Sequence, residues 1–87
     1  METKENPYHF ISDPGHGWLA VPLKDIADLG VKDKITPYSY RKGEMGYLEE
    51  DCDAGTFIKA YTERHGRPPA IREMHQENCP IRSYASF

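Results

Sequence analysis

The chain has no run of about 18 apolar residues, the length that a membrane-spanning helix requires. No spanning helix and no membrane partner are therefore expected. The opening METKENPYHF also lacks the apolar core of a secretory signal, so a cytoplasmic protein is expected. Cysteine is scarce: Cys52 and Cys79 stand 27 residues apart, with no CxxC and no second pair. That spacing excludes a zinc ribbon and a disulfide framework, and both thiols read as reduced and inert, that of Cys52 as buried or half-buried. There is no block of Lys and Arg large enough to neutralise many phosphates, which disfavours direct nucleic-acid binding. Repeats and low-complexity stretches are missing as well.

What is present suits one small folded unit. Eighty-seven residues hold a single domain, 1–87, with 1–6 read as a flexible N-terminal tail and no room for a separate cofactor domain. With 38% hydrophobic residues, including six Tyr, three Phe and one Trp, the composition supports a packed core rather than disorder. The formal charge is only -3, but it is unevenly spread. Between Glu44 and Asp53 stand Glu44, Glu49, Glu50, Asp51 and Asp53 with no base among them, whereas from Ala54 to Phe87 Lys59, Arg64, Arg67, Arg72 and Arg82 outnumber Glu63, Glu73 and Glu77 and make that stretch mildly basic.

Local patterns divide the chain into elements. YHFIS and WLAV are separated by DPGHG, whose Pro14, Gly15 and Gly17 are turn residues, so a first hairpin is expected. In VPLKDIADLGV, Pro22 suits the first helical position, Leu23, Ile26 and Ala27 share a face, and Gly30 suits the left-handed residue after the end, with Val31 folding back on Ile26. ITPYSY and MGYLEE, joined by RKGE, read as a second hairpin whose first strand lies at an edge or begins at Pro37. DAGTFIKAYTERHG places Ala54, Phe57, Ile58 and Tyr61 on one stripe, with Gly66, Pro68 and Pro69 as the stop. This predicts a three-turn helix with Asp53 as its N-cap and Glu49, Glu50 and Asp51 near the positive end of its dipole. AIREMHQ fits either a fifth strand or a helical face through Ile71 and Met74, and the strand is favoured. CPIRSYASF either pairs into the sheet or docks on a partner. The expected fold is α+β, a small antiparallel sheet of two hairpins and a fifth strand, with one short and one three-turn helix packed on it.

Asp51-Cys52-Asp53 after a strand superficially resembles the first motif of haloacid-dehalogenase-type phosphatases, but 87 residues do not hold the doubly wound sheet and later motifs that such an enzyme needs. A small metal-dependent hydrolase would use His9, His16 and the Glu49–Asp53 carboxylates, yet no HxxxH, His-x-His or EF-hand spacing is present. No metal and no cofactor are expected. Cys52 with His9 or His16 as base is opposed by the flanking carboxylates, which disfavour a thiolate. The Asp13–Trp18 loop leads into a strand and not a helix, so it reads as a turn or a recognition loop rather than a phosphate cradle. Trp18 reads as core before ligand platform.

HFISDPGHGWLAVP, LGVKDKITPYSY, GYLEEDCDAGTF and CPIRSYASF together resemble a group of small proteins encoded by bacteriophages and other mobile elements. The resemblance runs from about His9 to Phe87 and carries no catalytic residue with it. It implies the cytosol of an infected bacterium, where small acidic proteins, anti-CRISPR proteins among them, act by binding. The resulting expectation is a binding module that inhibits a host defence or nucleic-acid-processing complex. Its surface would comprise Asp13, His16, Trp18, Glu44, Glu49, Glu50 and Asp51, and its partner would be a host or phage protein with a basic face, such as a CRISPR effector. The alternatives are the hydrolase and a homodimeric phage regulator.

Overall fold

The computed structural model describes residues 7–77 and 80–87; the tail expected at 1–6 and the Cys79 thiol lie outside them. Among the described residues, six strands and two α-helices form the α+β fold read from the sequence. β1 (Tyr8–Ser12) and β2 (Gly17–Pro22) make the first hairpin, and α1 (Leu23–Asp28) follows at once. β3 (Tyr40–Lys42) and β4 (Met45–Glu49) make the second hairpin, and α2 (Asp53–His65) leads to β5 (Ile71–His75). A 3-10 turn at Pro80–Ser83 precedes β6 (Ala85–Ser86). The sheet order is β5-β1-β2-β4-β3-β6.

All neighbours are antiparallel except β1 and β5, so the sheet is mixed. The parallel pair arises because α2 is a crossover, which returns the chain in the direction of β4. Strand alternation then sorts the side chains onto two faces. Leu19, Val21 and Leu48 point to one face, where Ile26 of α1 and Ala54, Phe57 and Tyr61 of α2 complete the core. Trp18 and Ala20 point to the other, which the 80–84 segment crosses: Ile81 is buried and the Tyr84 ring lies 5.1 Å from that of Tyr47, the neighbour of Ala20. Covered on both sides, β2 is buried from Gly17 to Val21.

The helix ends follow local chemistry. Gly30 has φ 72°, with its N–H donating to the Ala27 carbonyl and the Val31 N–H to that of Ile26, the double closure of a Schellman motif. Pro22 closes β2 as the residue before α1 rather than opening the helix. Pro37 lies in a turn, so β3 starts three residues later and sits inside the sheet between β4 and β6. The tail pairs with β3, through Tyr40 opposite Ser86 and Arg41 opposite Ala85.

Candidate binding cleft

Asp53 departs most from expectation. It is not the cap of α2 but its first residue; Cys52 occupies the cap position and makes no side-chain capping bond. The Asp53 carboxylate is wholly buried, and its Oδ2 accepts from the Thr36 N–H at 3.0 Å, the Thr36 hydroxyl at 2.7 Å and the Ser39 hydroxyl. Ser39 Oγ in turn accepts the Glu49 N–H at 2.9 Å. One buried carboxylate therefore ties both ends of the 36–39 loop to the start of α2, and Ser39 ties the loop to the end of β4. Three convergent tertiary donors take the place of a cap bond to its own helix, because hydrogen bonds to a carboxylate are charge-assisted and of the stronger kind.

The loop held in this way forms one wall of a cleft of about 510 Å³. Its lining draws Thr36, Tyr38 and Tyr40 from this loop and the start of β3, His16 and Trp18 from the first hairpin, and Glu49, Asp51 and Cys52 from the end of β4 and the turn after it. Register explains the convergence: Trp18 is opposite Glu49 in the sheet, and Tyr40 is one strand further on beside Tyr47. The Trp18 and Tyr40 rings meet edge to face at 6.4 Å, and the His16 ring is 6.0 Å from that of Trp18. Trp18 is thus both core, at 2% exposed, and part of the cleft wall.

Of the residues singled out from the sequence, His16, Trp18, Glu49 and Asp51 come together here. Asp13 supports them from behind, its Oδ1 accepting from the N–H groups of Gly15 and His16 at 2.9 and 2.8 Å. Glu50 is exposed beside the cleft but does not line it; its Oε1 lies near Gly17, whose missing side chain leaves room for the Phe10 ring. Glu44 is in the β3–β4 turn, the whole length of β4 away. His9 is exposed in mid-β1, opposite Ala20 and Arg72, and takes no part in the cleft. Cys52 is exposed, contrary to the reading of a buried or half-buried thiol, because the turn before α2 faces outward. Among the described residues no three His, Cys, Asp or Glu side chains assemble into a group able to hold a metal ion.

Two features escaped the sequence reading. Tyr38 and Tyr40 appeared there only as strand residues, whereas the hydroxyls of Thr36 and Ser39 around Pro37 were the available sign of a pinned loop. The second is a line from Ser12 Oγ to His75 Nδ1 at 3.3 Å and from His75 Nε2 to Glu77 Oε2 at 3.4 Å. It has the order of a nucleophile, a base and an acid, but His75 and Glu77 are 55% and 80% exposed, so water competes for both contacts.

The fold and cleft define a small α+β protein with an aromatic, acidic recess at one end of its sheet. Among known protein families, curated proteins and solved structures, none matches the chain. Among the described residues no helix is long and apolar enough to cross a membrane.

Proposed function

We propose that the chain is a stoichiometric protein-binding module that engages a basic surface of its partner through the cleft end of the sheet. In the phage setting that the sequence resemblance implies, that partner is a bacterial defence or nucleic-acid-processing complex, and binding inhibits it. The observation that carries the reading is the composition of the cleft: Glu49 and Asp51 line it together with Trp18, Tyr38 and Tyr40, and among the described residues that line it none is Lys or Arg. Aromatic rings supply contact area at low entropic cost, and carboxylates choose a cationic counterpart and speed the encounter.

The test is capture followed by charge reversal. Immobilised protein is passed through bacterial lysate, the retained protein is identified by mass spectrometry, and the capture is repeated with Glu49→Lys, Glu50→Lys and Asp51→Lys combined. Retention of a basic partner near one-to-one, lost in the triple variant with an unchanged circular-dichroism spectrum, is the expected result. Full retention by the folded triple variant would remove the cleft end from the interface.

A further inference from the structure

We propose that the cleft is a receptor for an arginine side chain projecting from the partner. This rests on the reading of the chain as a module for a basic surface and names the group that the surface inserts.

Tyr38 and Tyr40 supply the accessible aromatic lining of the cavity, Trp18 being only 2% exposed, and Glu49 and Asp51 line it as well. At about 510 Å³ it has room for a long side chain together with the backbone that presents it. A planar cation satisfies both kinds of wall at once, because aromatic faces attract positive charge and a guanidinium can donate to two carboxylates from one fork. A lysine ammonium is a compact, strongly hydrated charge without a face to stack. An apolar side chain would desolvate the carboxylates and leave them unpaired, and a phosphate or nucleic-acid backbone would be repelled by them.

The walls are also built in advance. Tyr38 is 76% exposed, an unusual position for a large ring, yet its loop is fixed: the Tyr38 N–H donates to Thr36 Oγ1 at 3.3 Å, and that hydroxyl is held by buried Asp53. Glu49 is half-buried and is steadied by the Asp51 N–H, which donates to its Oε2 at 3.0 Å. Asp53 is therefore a positioning residue for the backbone of the loop that carries Tyr38. Such preorganisation lowers the ordering cost of binding.

The experiment uses the whole chain, isotopically labelled for amide NMR, and three capped pentapeptides of the form Gly-Gly-Xaa-Gly-Gly with Xaa arginine, lysine or citrulline. Citrulline keeps the shape of arginine and removes its charge. The arginine peptide should shift the amides of His16, Trp18, Tyr38, Tyr40, Glu49 and Asp51 along one saturation curve, with the citrulline peptide about tenfold weaker and the lysine peptide between them. Asp51→Asn and Tyr38→Ala should each weaken the arginine peptide several-fold, whereas His9→Ala, on a strand outside the cleft, should not. Equal affinities for arginine and citrulline, or shifts confined to other residues, would overturn the assignment. The two readings fail separately. If a partner is captured and lost on charge reversal while the arginine peptide does not bind, the module stands and the arginine receptor falls. If the peptide titrates the cleft but lysate yields no partner, the receptor stands and the module falls.

Discussion

At Asp53, three donors from one loop converge on Oδ2, while Oδ1, equally buried, has no hydrogen-bond partner among the described residues. Removing the carboxylate therefore strands the Thr36 N–H and two hydroxyls, and does more than uncap a helix. A lost cap costs about 1 kcal/mol, whereas several unpaired donors away from water cost about 3 kcal/mol or more together. Asp53→Ala should thus lower stability in urea denaturation by the larger amount. Asp53→Asn keeps one oxygen for the donors and should recover much of the loss. A loss of only about 1 kcal/mol in the alanine variant would restore the cap reading. The sequence pointed to a cap because Asp before an apolar stripe is a local signal. The partners that decide its role lie 14 and 17 residues away, beyond the reach of any local pattern.

The same division between near and distant causes governs the elements. α2 was legible in its extent because its stripe, its first turn and the left-handed Gly66 at φ 76° are all encoded within its own residues. Its stripe also sets an order of sensitivity. Phe57 is fully buried and meets Tyr8 edge to face at 5.3 Å, while Ile58 is only half-buried at the margin of the core. Phe57→Ala should cost about 3 to 5 kcal/mol and Ile58→Ala clearly less, since the cavity left is smaller and partly open to water. Equal losses in thermal or urea unfolding would mean that the helix is rotated from this register. The strand at 71–75 was legible as a strand, but its parallel pairing with β1 was not. Pairing order depends on where a crossover lands, and β5, exposed at every position, carries no inward stripe to announce its neighbour. β3 lies later than the sequence suggests: of ITPYSY only Tyr40 is in the strand, and Arg41 and Lys42, expected in the turn, continue it, since tyrosines satisfy strand propensity whether they lie in a ladder or on a pinned loop.

For the molecule as a whole, the cleft is a property of assembly: His16 and Trp18 come from the first hairpin, Tyr38 and Tyr40 from the lead into the second, and Glu49 and Asp51 from its exit. The acidic run was visible in the sequence, whereas the tyrosines of ITPYSY read as a strand and not as a loop, and the meeting of the two depends on β2 pairing with β4. That geometry also separates the carboxylates that the sequence had grouped together. Glu44 lies at the far end of β4, and a five-residue strand spans about 17 Å, roughly twice the screening length of about 8 Å at physiological salt. If the cleft end meets the basic partner, position should count for more than total charge. Glu44→Lys and Asp51→Lys change the formal charge of -3 by the same amount. At physiological salt, Asp51→Lys should slow association with the captured partner by about tenfold, and Glu44→Lys should leave it nearly unchanged. At about 0.01 M salt, where screening reaches about 30 Å, Glu44→Lys should slow it too. Stopped-flow or surface-based association rates at the two salt concentrations decide the matter. Equal slowing by both variants at physiological salt would mean that the partner responds to the net charge of the molecule, or meets it along the whole of β4, and not at the cleft.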